Sequence, residues 1–274
     1  MSSGCEMGFK YCNLVRIDGN KRTTGDSATS FTMNLSQSLQ NIQRVSFVSA
    51  VFPNNIYNIR AGVNNIIDYV FSISSTATEY TGSITPGYYS ITQLIAAVNT
   101  VIAGQVPSTA FGNSTDLTYK VYLNVDSGAD YMKLLNRGNG SVWSALGWNN
   151  VPVNTGASTG PGVTISPGSN VEAPALPQLA GTTEVYVQSV ALAPGHAFDE
   201  SGTVTSTCIG IPVQVPFGSI QTYECKVDSL CQITYPTPRN IQSIDIQVVD
   251  RTGTVVDLNG GNFKLDVRVW YNQL

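Results

Sequence analysis

The side chains that could carry out catalysis are few, and they gather around a single histidine. His196 is the one histidine of the chain, and Asp199 and Glu200 follow it closely. A serine or cysteine nucleophile needs a histidine base, so any such device would have to use His196. No G-x-S-x-G nucleophile elbow accompanies it. A hydrolase built on His196 with Asp199 or Glu200 stays open as an alternative. A solvated loop histidine is favoured, and we predict no catalytic residue.

Motifs for metals and cofactors are also missing from the sequence. Asp18-Gly19-Asn20 resembles the start of a calcium-binding loop, but Thr29 stands at the twelfth position, where a bidentate acid is required. The cysteines show no C-x-x-C spacing of the kind that structural zinc sites use. No phosphate-binding G-x-x-x-x-G-K or G-x-G-x-x-G loop occurs. We therefore predict no metal ion and no cofactor.

The number of cysteines is odd, which argues against a simple disulfide framework. The first residues lack the basic stretch followed by an apolar run that marks a secretory signal. We therefore expect a chain made in the cytosol or nucleus, with reduced thiols. A bridge between Cys225 and Cys231 across a hairpin stays open as the alternative. The five cysteines are Cys5, Cys12, Cys208, Cys225 and Cys231.

Charge is scarce over the whole chain. Charged residues make up 12%, about half of the roughly 25% typical of soluble domains, and neutral polar residues replace them. Such a surface costs less to desolvate than an ionic one and suits burial in protein contacts. The net charge of -4 and the lack of a basic tail disfavour a nucleic-acid partner. We interpret Arg16, Lys21 and Arg22 as a solvated turn rather than a phosphate-binding site. No apolar run reaches the ~18–20 residues of a membrane span.

Short strands with turn signals between them dominate the chain. Period-two alternation is clearest at 243–248 and 263–269, where apolar and polar residues alternate on either side of glycine-bearing turns. This pattern predicts antiparallel strands, each with one face in a core, and we expect a hairpin over residues 250–269. Further strands are predicted at 11–17, 30–35, 44–52, 66–73, 117–125 and 184–192.

One segment predicts a helix. Ser90 and Gln93 have the spacing of a capping box. An aliphatic stripe then follows the helical period as far as Gly104. The stripe consists of Ile91, Leu94, Ile95, Val98, Val101 and Ile102. A second, shorter helical turn is expected over residues 141–146, closed by Gly147.

Two tryptophans flank that second turn. Trp143 and Trp148 are expected to fill the end of a core. The alternative, a platform for sugar rings, would make the chain a carbohydrate- or receptor-binding β-module. Residues 154–183 are rich in Gly, Pro, Ser and Thr and predict a long surface loop. A loop that becomes ordered only against a neighbouring molecule stays open as an alternative.

Together these patterns favour an all-β fold, a jelly-roll β-sandwich with one or two short helices and long loops. We expect one jelly-roll domain over residues 1–274. An insertion or elaborated loops within about residues 60–185 stays open.

An ordered set of motifs resembles the penton-type minor capsid proteins of large eukaryotic double-stranded DNA viruses, virophages and Polinton-like elements. The motifs lie in the same order as in that family and span most of the chain. They are SFTMNL at 30–35, IQRVSFVSAVFPNNIYNI at 42–59, PGYYSITQL at 86–94, ALGW at 145–148, EVYVQS at 184–189, IPV at 211–213, FGSI at 217–220, IDI at 244–246 and the segment 250–269.

The resemblance implies a structural protein rather than an enzyme. It implies a homopentamer at the five-fold vertices of an icosahedral capsid, surrounded by double jelly-roll major capsid trimers, with other minor capsid or fibre proteins as further partners. The expected location is the virion. The nearest variant within the family is a non-vertex minor capsid protein that cements capsomers.

Overall fold

The computed structural model describes residues 11–106, 109–113, 120–138, 140–156, 160–168, 170–195, 197–198, 204–226 and 231–271. Antiparallel strands dominate these residues, as the sequence predicts. The elements in chain order are β1 (Tyr11–Asp18), a 3-10 turn (Gly19–Lys21), β2 (Thr24–Ser27), β3 (Ser30–Pro53), β4 (Ile66–Ile73), β5 (Thr76–Ser83), α1 (Ile91–Ala103), β6 (Thr109–Asn113), β7 (Val121–Val125), β8 (Tyr131–Leu135), β9 (Val163–Ile165), β10 (Asn170–Glu172), β11 (Glu184–Gln188), β12 (Ala197–Phe198), β13 (Val204–Thr205), β14 (Thr207–Pro212), β15 (Ile220–Glu224), β16 (Gln232–Val249) and β17 (Lys264–Tyr271).

The chain divides into two compact units. Unit 1 comprises Met1–Ile56 and Thr182–Leu274, and unit 2 comprises Tyr57–Gly181. The second unit nearly coincides with the stretch of about residues 60–185 where the sequence left an insertion open. The expectation of one jelly-roll domain over residues 1–274, with an insertion or elaborated loops within about 60–185, stays a prediction.

Unit 1 is a β-sandwich built on two long strands. Its strands follow the hydrogen-bonded order β1-β17-β3-β16-β11-β14, and β2 and β15 also pair with β3. The β3–β16 register shifts at three points between Thr234 and Ser243, and Asn41 there has a positive φ. At these irregularities both strands pass from one layer to the other. Layer A holds β1, β17, residues 42–53 of β3, β15 and the start of β16. Layer B holds β2, the start of β3, the end of β16, β11 and β14.

The core of unit 1 arises from the period-two pattern of these strands. On β17 and at the end of β16 every second residue is buried, and the residues between them face outward. Buried side chains from both layers join in a single apolar cluster. Among its members are Phe47, Phe52, Phe263, Leu265, Val267, Val187, Ile211, Ile244, Ile246 and Val248.

The predicted hairpin over residues 250–269 is wrong. β16 and β17 are not neighbours, because β3 lies between them in the sheet. The turn after β16 closes on itself through a bridge between Val249 and Val255, and the chain then crosses to the far side of β3. Alternation correctly predicted the two strands and their buried faces, but it carries no information on which strand each one pairs with.

Unit 2 packs one helix against small antiparallel sheets. One sheet has the order β5-β4-β8-β9 and another the order β10-β7-β6. α1 begins at the predicted capping box, since the Ser90 hydroxyl accepts from the Gln93 N–H and the Gln93 side chain accepts from the Ser90 N–H. Leu94, Ile95 and Val98 are buried and Gly104 ends the helix, which confirms the aliphatic stripe as core packing.

Two loop predictions in unit 2 need correction. Residues 141–147 form consecutive turns rather than a helix, although Gly147 does adopt a positive φ of 93°. Residues 154–183 are not one featureless loop, because they contribute β9 and β10. Lys133 donates to the carbonyl of Gly160 and Arg137 donates to the carbonyls of Asn154 and Gly156. These bonds hold part of the loop against its own chain without a neighbour.

Candidate assembly surface

The chemistry-bearing motifs of the sequence that fall within the described residues form no metal centre. His196, Asp199 and Glu200 lie outside the described residues. In the part of the chain that the structure describes, no group of three or more His, Cys, Asp or Glu side chains could hold a metal ion. Within the same ranges no helix reaches the length and hydropathy needed to cross a bilayer.

The calcium-like motif serves a turn instead. The Asp18 carboxylate accepts from the N–H of Asn20 and from the side-chain amide of Asn262. Partial burial alone would raise the pKa of Asp18. The two hydrogen bonds and the nearby ammonium groups of Lys264 and Lys21 outweigh it, so the pKa lies below its ordinary value. The carboxylate therefore accepts hydrogen bonds from its own turn and from Asn262.

The expectation of reduced thiols is wrong for one pair of cysteines. Cys225 and Cys231 form a disulfide. The Cys225 N–H donates to the carbonyl of Val48, and the carbonyl of Cys231 accepts from the N–H of Phe47. The two cysteines therefore lie beside successive residues of β3, Val48 and Phe47. Their bond joins the end of β15 to the start of β16. This juxtaposition depends on long-range strand pairing, which the sequence spacing alone does not reveal.

Cys208 and Cys12 are described and lie outside the disulfide. Cys208 packs against the core of unit 1. Desolvation, together with the charge of Asp245, raises the pKa of its thiol, so the side chain stays protonated at neutral pH. Cys12 lies half-buried on β1. Cys5 is outside the described residues.

The two tryptophans cannot serve as a sugar platform. Trp143 and Trp148 are each 1% exposed, which confirms their assignment to the core. Phe111 stacks on Trp143 and meets Trp148 edge-on. The carbohydrate-binding alternative therefore loses the residues on which it rested.

The feature of unit 1 most suited to recognition is the outer face of layer A. Four of the chain's fourteen basic residues lie on this one face, on β1, β3 and β17. Arg16 on β1 forms a two-bonded ion pair with Asp266 on β17, at 2.9 and 3.1 Å. This is a correction to the solvated-turn interpretation of Arg16, because the side chain belongs to a strand. The basic residues are Arg16, Arg44, Lys264 and Arg268.

An arginine-flanked tryptophan lies at the centre of the same face. Trp270 points outward on β17, yet it is almost fully buried. The guanidinium groups of Arg44 and Arg268 lie 5.9 and 5.8 Å from its ring centre, within cation–π range. Its indole N–H donates to the Ser46 hydroxyl. The face is therefore a preorganised surface rather than a set of freely solvated side chains.

A second ordered feature is the turn that follows β11. The Asp245 carboxylate accepts from the N–H groups of Val190 and Ala191 and from the Ser189 hydroxyl. The Tyr235 hydroxyl donates to the carbonyl of Leu192. These bonds fix the turn while Val190 remains exposed. Sequence reasoning missed both surface features, although the alternating charges of β17 could have indicated the first.

Unit 1 is thus a jelly-roll sandwich, the fold class that the sequence predicted, with an ordered outer face. Among solved structures, the chain is similar to the mavirus penton protein, with a TM-score of 0.50 at 8% identity over 94% of this chain and 99% of that one. It is also similar to a chain in the cryo-EM structure of the Sputnik virophage, with a TM-score of 0.49 at 12% identity over 94% and 98%. No family model and no curated protein matches. The resemblance to a penton protein is confirmed as a likeness of fold.

Proposed function

We propose that this chain is a viral capsid protein and, more specifically, the penton subunit that closes the five-fold vertices of an icosahedral double-stranded DNA virus capsid. The observation that carries the proposal is the fold match to the mavirus penton protein over 94% of this chain. A jelly roll alone hosts many functions. At this coverage, however, the match also includes unit 2, which a generic sandwich lacks.

The composition supports an assembly role without catalysis. Only 12% of the residues are charged, so contacts between copies bury few ions. A standard interface buries ~800 Å² on each partner. Five such contacts close into a ring in which every copy is held on two sides, so individually weak contacts become strong together. The partners in this proposal are four further copies and a double jelly-roll major capsid protein.

The non-vertex role of a cement protein is the competing form of the same proposal. Both forms are compatible with the fold, but they place the chain differently in a particle. A cement protein would lie between capsomers on the facets, whereas a penton subunit would surround the five-fold axis.

The experiment is a cryo-EM map of virions purified from the virus that encodes the chain. We expect density for the two-unit subunit around every five-fold axis, in five copies. Density on the facets alone would replace the vertex proposal with the cement role. Absence of the chain from purified particles would overturn the capsid proposal itself.

A further inference from the structure

The outer face of layer A runs from one open edge of unit 1 to another in aligned rows. β1 forms one edge and pairs with β17 alone among the described strands, while β15 and the start of β16 form the other. Strand register connects the two edges directly. The rows, from the β1 edge to the β15–β16 edge, are Leu14–Arg268–Ser46–Gln232, Arg16–Asp266–Ser49–Glu224 and Asp18–Lys264–Val51–Thr222.

One of these rows is basic at one end and acidic at the other. Arg16 has 68% of its side chain exposed even though it is paired with Asp266. Glu224 is exposed, and its carboxylate forms no ion pair or hydrogen bond within the described part of the chain, although its backbone belongs to the β15–β3 ladder. A guanidinium has five N–H donors, and Arg16 uses two of them on Asp266. Arg16 can therefore donate hydrogen bonds to a second carboxylate, supplied by another molecule.

Apolar side chains accompany the charges at both edges. Leu14 is 57% exposed on β1 and Ile220 is 58% exposed on β15. Beside β15 lies an open groove of about 540 Å³, which Pro212 and Gln214 line together with residues of β15. The groove borders the open side of β15, where a strand from elsewhere would have to lie.

The other strand edges of unit 1 are protected. β14 ends in Pro212, and its partner β11 has a bulge at Gln188. β2 has only four residues and an irregular register with β3. Natural sheets use proline, bulges and short strands in this way to prevent edge-to-edge association. β1 has none of these devices, and its eight residues pair with β17 without a shift.

We propose that β1 of one copy adds to the β15–β16 edge of a second copy, so that layer A continues from subunit to subunit with Arg16 beside the neighbour's Glu224. β1 runs parallel to β3, and β15 runs antiparallel to it, so the added strand pairs in antiparallel fashion. The two edges are different surfaces, which makes the contact head-to-tail. Such a contact gives a ring when the rotation between neighbouring copies closes, as a five-fold axis requires, and an open filament when it does not. The inference rests on the proposed self-assembly of the penton and names its contact.

The first test is charge reversal, read by native mass spectrometry and sedimentation. Glu224→Arg should weaken association at least tenfold, because it places two cations together at each contact. The double variant Arg16→Glu with Glu224→Arg should recover most of the loss. Glu172→Arg, an exposed strand glutamate of unit 2, is the matched control and should associate as the wild type does.

The second test is covalent and does not depend on charge. Leu14 and Gln232 end one row at opposite edges, so within one copy they cannot meet. The variant Leu14→Cys with Gln232→Cys should give a ladder of cross-linked oligomers under mild oxidation, while each single variant should not.

The outcomes separate this inference from the proposed function. Wild-type rings together with unaffected Glu224→Arg rings and no cross-linked ladder would overturn the edge contact and leave the penton role intact. A wild-type chain that stays monomeric at every concentration, together with no ladder from the double-cysteine variant, would overturn the contact and the penton role together.

Discussion

At the scale of single residues, several buried or half-buried polar groups have hydrogen-bond partners on neighbouring strands and turns. The indole N–H of Trp143 donates to the carbonyls of Asp68 and Leu135, at 3.0 and 2.7 Å. Asp245 satisfies three donors of one turn. A buried group that loses its partner costs about 1–3 kcal/mol. Such residues should therefore dominate the effects of conservative substitutions.

Trp143→Phe should destabilise the protein by about 2–4 kcal/mol. The change removes a donor to two buried carbonyls and leaves a void where the larger ring stood. Urea unfolding followed by circular dichroism measures the loss. Tyr88→Phe, at a largely exposed aromatic side chain, is the control and should change stability little. Equal effects of the two variants would show that Trp143 is not part of the core.

Asp18 should make stability depend on pH. Its pKa is lower in the folded state than in the unfolded chain, so its contribution is complete above the unfolded value. The contribution is lost as the pH falls through the folded pKa. The difference in unfolding free energy between the wild type and Asp18→Asn should therefore be largest near neutral pH and shrink in acid. A difference that is constant across a pH series of urea titrations would contradict this.

Core burial of Trp143 and Trp148 could be predicted from residue types. The Cys225–Cys231 pairing could only be left open, and the Arg16–Asp266 ion pair was missed. Both depend on which strands lie side by side, and the two ends of that ion pair are 250 positions apart in the chain.

At the scale of elements, α1 shows how much a local signal can determine. Its start, its buried face and its end were all encoded within one short segment, because capping and helical periodicity are local. The order of β17, β3 and β16 was not encoded in this way. Any amphipathic strand of similar length satisfies the alternation rule, so the partner is chosen by packing of the whole unit.

Ser90→Ala should destabilise unit 2 by about 1 kcal/mol, because it removes the oxygen that accepts from the Gln93 N–H. Thr92→Ala removes a hydroxyl from the same helical turn and is the matched control. Thermal unfolding of both variants gives the comparison. A loss for Thr92→Ala as large as that for Ser90→Ala would show that the cap contributes nothing specific.

The disulfide should stabilise the edge formed by β15 and β16. In the chain-entropy account, closing so short a loop contributes about 2 kcal/mol. Reduction should therefore lower the midpoint of thermal unfolding of the wild type. It should leave the variant Cys225→Ser with Cys231→Ser unchanged, since that variant has no bond to break. An equal shift in both proteins would trace the effect to something other than this bond.

At the scale of the whole molecule, the two units have separate cores, and the proposed contact involves unit 1 alone. The jelly roll was predicted from strand patterns and from the ordered motifs. The separate core of unit 2 was only left open as an insertion, because composition does not change sharply at residue 57 or 181. A long chain with two cores and a sparsely charged exterior is suited to a shell, where much of the surface is covered by neighbours.

The proposed penton role requires that copies of this chain close into a five-membered ring. Native mass spectrometry of the purified chain over a range of concentrations tests it most directly. We expect a species of five copies that disappears on dilution without passing through a dominant dimer. A chain that remains a monomer at every concentration, or one that forms only closed dimers, would overturn the proposed five-membered ring.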